Sequence, residues 1–187
     1  MVILTNLQTK GETKMSAVDV ANGANYSFLT NGDLVVEGGA IIYRNFAGQP
    51  TKFNPNGGKR TFALVLTQGI ADELVERGWN IKHRPPRDEE EDDMYWTEIV
   101  VNMESEFPPR INLVTRYGEK ENMTVLNSEN VGLLDTSILT NIDLVVHPYA
   151  HGRMNAAGAT VKGYLKTLYA TTEPVVDFGG KYNRFYE

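Results

Sequence analysis

Short runs of alternating apolar and polar residues, cut by Gly, Pro and Asn, dominate this chain. That period-2 pattern predicts strands. Residues 34–46 read as one strand broken at Gly38-Gly39, where paired glycines mark a bulge or sharp bend. Long bent strands are what a small barrel needs to close on itself. Further strands are predicted over 61–66, 94–103, 111–117, 123–126, 138–149 and 159–171, with Gly118-Glu-Lys-Glu as a hairpin turn. Residues 68–77 place Ile70, Ala71, Leu74 and Val75 on one helical face, with Thr67 as cap and Gly78 as terminator. A short helix is predicted over 128–136, with Ser128 as its cap. Residues 1–32 read as an N-terminal arm with room for one short strand, and 173–187 as a C-terminal tail. Strands at fairly regular spacing with one or two short helices predict a mainly β domain, a closed barrel or a sandwich.

Strand 159–171 carries the most informative stripe. Alternation puts Val161, Gly163, Leu165, Thr167 and Tyr169 on one face and Lys162, Tyr164 and Lys166 on the other. Cation, ring, cation suits a nucleic-acid strand: lysines meet phosphates and the ring stacks on a base. The same stripe also fits an ordinary solvated sheet face.

Length and composition change the picture little. The 187 residues suit one domain, and 41% hydrophobic residues supply a real core. With no cysteine there is neither a disulfide framework nor a thiolate metal site, which agrees with a reducing cytoplasm. No apolar run approaches membrane-spanning length, and Met-Val-Ile-Leu-Thr-Asn lacks the features of a signal peptide, so an intracellular soluble protein is expected.

Charge changes it more. The net charge is −6, but six acids lie together in Asp88-Glu89-Glu90-Glu91-Asp92-Asp93. Without them, 18 acids face 18 bases. Residues 44–87 hold eight bases against Asp72, Glu73 and Glu76, a local charge of +5. A binding surface needs a local field, not a net charge. Six adjacent like charges repel one another and read as a solvated loop rather than a metal site.

Catalytic patterns are missing: no nucleophile elbow, phosphate-cradling loop or dinucleotide fingerprint occurs. His147 and His151 are separated by Pro148, which argues against a helix presenting both to a metal. Neither enzyme chemistry, metal nor cofactor is expected. Three basic-aromatic sets stand out instead: Lys162-Tyr164-Lys166, Arg44 with Phe46, and the loop bearing Lys52, Phe53, Lys59 and Arg60. Arg110, Asn112 and Arg116 form a further polar stripe. Phe46 and Phe53 also fit the core, Trp79 is expected there, and Trp96 fits core and stacking platform equally.

The phrases Tyr43-Arg-Asn-Phe-Ala-Gly-Gln-Pro-Thr-Lys-Phe-Asn-Pro-Asn-Gly-Gly-Lys-Arg-Thr-Phe, Gly78-Trp-Asn-Ile-Lys, His147-Pro-Tyr and Lys162-Gly-Tyr-Leu-Lys-Thr-Leu-Tyr occur in that order. In this the chain resembles the single-stranded DNA-binding proteins of tailed bacteriophages and prophages, over roughly residues 34–172. The resemblance implies an OB-fold-like five-stranded barrel with added strands and hairpins. It implies sequence-tolerant binding and protection of single-stranded DNA in phage replication and recombination, in the cytoplasm of a bacterial host. It also implies phage replication or recombination proteins as further partners. The groove expected from both lines of reading is lined by Arg44, Phe46, Lys52, Phe53, Lys59, Arg60, Lys162, Tyr164 and Lys166. Such proteins often end in an acidic tail, whereas residues 178–187 include Lys181 and Arg184. The acidic loop 88–93 is a candidate substitute. The alternative is a non-catalytic β-barrel that uses this loop to hold a protein partner.

Overall fold

The computed structural model describes residues 15–173, so most of the expected C-terminal tail lies outside the described residues. Among these residues, ten strands form one connected sheet. In chain order the elements are α1 (Ala17–Gly23), β1 (Asn25–Phe28), β2 (Leu34–Glu37), β3 (Ala40–Asn45), β4 (Thr61–Leu66), α2 (Gln68–Glu76) and β5 (Lys82–Arg84). Then come β6 (Met94–Val100), β7 (Arg110–Tyr117), β8 (Lys120–Leu126), a 3-10 turn (Val131–Asp135), β9 (Leu139–Ala150) and β10 (Val161–Thr172).

The bend at Gly38-Gly39 organises the sheet. Gly38 has φ +69°, which glycine adopts without steric cost. Its N–H donates to Asp143 Oδ1 (2.8 Å), and the Gly39 N–H donates to Ile142 O (2.8 Å). A Cβ at Gly39 would sit 2.7 Å from Val36 Cγ1. The bend turns one stretch of chain into two strands with different neighbours. β2 pairs with β9 and β3 pairs with β4, both antiparallel. From β3 the ladders run through β4, β6, β10 and β9 to β2, then β1. All are antiparallel except β6–β10, where Gly163 lies opposite Ile99 in a parallel pair. Among the described residues no ladder joins the two ends of this path, so the sheet itself is not closed; the chain through Gly38-Gly39 links β2 to β3. β5 adds to β6, and the β7–β8 hairpin adds to β10 through β7, in parallel.

The inner faces meet in one core that includes Phe46, Phe62, Leu64, Leu74, Trp79, Ile99, Leu144 and Leu168. α2 forms where the sequence predicts it, but Val75, expected on its apolar face, is exposed. Thr67 Oγ1 accepts from the Ile70 N–H, and Ala71 and Leu74 are buried. Gly78, at φ +86°, then reverses the chain and sends Trp79 into the core. The predicted short helix is a 3-10 turn capped by Asn130 without a side-chain bond, not by Ser128.

Within 1–32 the chain forms α1 as well as β1. Ser16 Oγ accepts from the Asp19 N–H, and Asp19 accepts from the Ser16 N–H, a reciprocal cap. Ala21 then packs on Ala40, Val65 and Met94, on the sheet surface away from the main core. Asn112, expected on a polar stripe, is buried, and its amide donates to Leu168 O (3.3 Å).

Candidate nucleic-acid interface

β10 presents Lys162 and Tyr164 outward because Gly163 is pinned inward. A Cβ on Gly163 would lie 2.5 Å from the Trp79 ring, 2.8 Å from Val146 and 2.9 Å from Ile99. Only glycine lets those three groups fill the space. The antiparallel register with β9 puts Lys162 opposite Tyr149 and Tyr164 opposite His147. Directly opposed residues share a face, so all four project outward together. The Tyr149 and Tyr164 rings meet edge to face at 5.8 Å, and His151 lies 5.0 Å from Tyr149. With His147 these rings line an open hollow of about 430 Å³. Sequence reasoning missed Tyr149, His147 and His151 as a set. Their signal was the i, i+2, i+4 spacing along a strand end, whose partner strand only the fold reveals.

The stripe does not continue as plain alternation predicts. The β9–β10 register jumps between Leu165 and Thr167, leaving Lys166 as the bulged residue. Leu165 and Leu168 both point inward, and Tyr169 turns outward instead of inward. Lys166 Nζ donates to Asp33 Oδ2 at 2.9 Å. Asp33 is fully buried and lies 2.6 Å from His147 Nδ1. As a carboxylate it can only accept, so Nδ1 is the donor. Burial pushes the Asp33 carboxyl up, but the bonds from Lys166, His147 and Asn31 and the charge of Lys166 hold it below the usual range. Lys166 thus answers a buried counter-charge in this structure, while more than half of its side chain stays exposed.

The other expected groove residues separate into two kinds. Phe46 has no exposed surface and stacks on Phe62 at 5.3 Å, so it offers no face to a base. Arg44 donates from Nη1 to Leu134 O (2.7 Å) and Ser137 O (2.9 Å). Arg60 donates to Phe46 O (2.6 Å) and Ser128 O (3.0 Å). Asp135 accepts from the Phe46 and Ala47 N–H groups in the same network. Both arginines thus fasten the segment before β9 to the strands.

Lys52, Phe53 and Lys59 remain at the surface. Phe53 is 91% exposed, with Lys52 Nζ 5.7 Å from its ring centroid. Lys59 Nζ donates to Glu98 Oε1 at 2.7 Å. Glu98 lies on the outer face of β6 and lines a cleft together with Lys162 and Arg153. Lys59 and Lys162 are thereby brought to one region. Trp96, two residues before Glu98, is half-buried against the α1 cluster and lies edge-on to Tyr43, with ring centroids 6.1 Å apart.

The acidic run is the exposed tip of the β5–β6 hairpin. Its charge is partly answered locally: Asp93 lies 2.6 Å from His83 Nε2, and Glu91 lies 3.5 Å from Arg84. Among the described residues, no group of three or more His, Cys, Asp or Glu is placed to hold a metal ion. No helix among them is long and apolar enough to cross a membrane.

Comparison with known proteins adds a family. The model of the family described as "Putative phage ssDNA-binding domain" matches residues 25–183. No curated protein matches significantly. Among solved structures, the single-stranded DNA-binding protein from bacteriophage Enc34 is 14% identical, with 94% of this chain and 97% of that chain covered and a TM-score of 0.48. The same Enc34 protein in complex with ssDNA gives 12% identity, coverage of 86% and 93%, and a TM-score of 0.49. Gp2.5, a single-stranded DNA binding protein encoded by bacteriophage T7, gives 14% identity, coverage of 87% and 94%, and a TM-score of 0.31.

Proposed function

Because the chain belongs to the phage ssDNA-binding domain family, we propose that it binds single-stranded DNA sequence-tolerantly along the outer face of β6, β10 and β9. Lys162, Arg153 and Lys59 meet phosphates, while Tyr164, Tyr149 and His151 offer rings to unpaired bases. Phe53, with Lys52, extends the path from the β3–β4 loop. The observation that carries the reading is the outward quartet Lys162, Tyr164, Tyr149 and His147, fixed by strand register. The protein coats and protects single strands during phage replication and recombination in the host cytoplasm, alongside other replication proteins, and catalyses nothing itself.

The barrel reading belongs with this proposal. Counting β2 and β3 as one bent strand, the neighbours run bent strand, β4, β6, β10, β9 and back to the bent strand. That order, with its single parallel contact between β6 and β10, supports a five-stranded OB barrel to which β1, β5, β7 and β8 are added. The β3–β4 and β9–β10 loops then flank the face that such folds use for oligonucleotides.

The test is a titration of labelled single- and double-stranded DNA with and without Mg²⁺. Single strands should bind tighter, without metal, with a log–log salt slope of about −0.7 per phosphate neutralised. Equal affinity for duplex, or no binding at low salt, overturns the proposal.

A further inference from the structure

Beside the aromatic hollow lies a cleft of about 330 Å³, between loop 151–160 and β6. This is the small end of the range for ligand sites, suited to one nucleobase with part of its sugar. Met154 and Val161 give it apolar walls, Asn80 and Glu98 polar groups, and Arg153 and Lys162 cations. His151 lines both the cleft and the hollow. A strand stacked on Tyr149 and Tyr164 therefore reaches the cleft with a neighbouring base.

Resting on the single-strand reading above, we propose that this cleft receives one unstacked base of the bound strand and favours a base with an exocyclic amine over thymine. Glu98 gives Oε1 to Lys59 and keeps Oε2 as a further acceptor. A carboxylate only accepts. Cytosine presents the N4 amine as a donor, whereas thymine presents the O4 acceptor at the same place. The pairing is attractive in one case and repulsive in the other. Among the described residues the Asn80 side chain makes no internal hydrogen bond, so its amide is available to the rest of the base edge. Lys162 and Arg153 are positioned for the phosphates on either side. Most contacts along the strand remain indifferent to sequence, with one position read.

The experiment compares oligo-dC with oligo-dT of equal length at neutral pH and one salt concentration, by fluorescence anisotropy. The wild-type protein should bind dC roughly ten-fold tighter or more, the worth of about one hydrogen bond to a charged group. In Glu98→Ala the ratio should fall to about one, while dT affinity holds or rises because Lys59 is released. Asn80→Ala should narrow the ratio in the same direction, and it serves if Glu98→Ala does not fold. Equal wild-type affinity for dC and dT overturns the inference and leaves the single-strand reading standing. A dC preference that survives both variants places the selectivity elsewhere and also overturns it. Failure to bind either oligonucleotide removes the single-strand reading itself.

Discussion

Replacing Tyr164 with alanine separates groove from scaffold. The ring is half-buried and touches Tyr149 edge to face at 5.8 Å, on the opposite side of β10 from the core-filling Gly163. Losing such an aromatic pair costs roughly 0.5–1.5 kcal/mol of stability, well short of the ~3–5 kcal/mol for a core aromatic. One base–ring stack is worth about 1–3 kcal/mol of affinity, which at ~1.4 kcal/mol per decade is roughly 5- to 150-fold in Kd. Tyr164→Ala should therefore weaken single-strand binding by about that factor with a modest loss of melting temperature. Tyr164→Phe should change affinity little, because stacking needs the ring and not the hydroxyl. The assay is paired: thermal melting and anisotropy titration on the same preparations. A large stability loss with unchanged affinity in the folded protein refutes the reasoning, and so does a variant that changes neither.

Three further outcomes are expected. Gly163→Ala should destabilise by ~1–3 kcal/mol or more through overpacking against Trp79, Val146 and Ile99, measured by denaturant unfolding. Asp33, its carboxyl held low in the folded state, stabilises the fold above its ordinary value near pH ~4 and loses that contribution as pH falls through the lowered one; an acid titration of melting temperature should show the gap between wild type and Asp33→Asn closing over that window, and a gap that widens there contradicts the assignment. Deleting the exposed acids 88–93 with a short Gly-Ser replacement should leave melting nearly unchanged and tighten single-strand binding at low salt, since their charge repels phosphates within a Debye length of ~8–10 Å; weaker binding by the deletion protein would instead give the hairpin tip a direct role.

Local chemistry was legible from the sequence, and long-range chemistry was not. Thr67 as cap, Ala71 and Leu74 on the inner side of α2, the glycine bend at 38–39 and strand β4 all follow from neighbours a few residues away, and the structure reproduces them, whereas Val75 faces solvent. α1 was overlooked in a polar stretch, although Ser16 and Asp19 are spaced as a capping pair. Arg44 and Arg60 looked like phosphate ligands beside aromatics. Their carbonyl partners lie 90 and 68 residues away at Leu134 and Ser128, a pairing no local pattern reveals. The same holds for Lys166 and Asp33, separated by 133 residues. Alternation served for Lys162 and Tyr164 but not for Tyr169, because one bulged residue reverses which side the residues just after it face.

The central position of β10 also bears on when the protein becomes itself during synthesis. This strand pairs with β9, β6 and β7, so three strands made earlier wait for their partner until residues 161–172 emerge from the ribosome. Contacts as distant in sequence as those with β6 and β7 form slowly, since loop closure must precede any gain from pairing. Until then the nascent chain exposes unpaired strand edges, the surfaces most prone to association with other chains. Lys162 and Tyr164 arrive on that same strand. For the proposed interface, acquisition of the binding face and completion of the sheet are thus a single event.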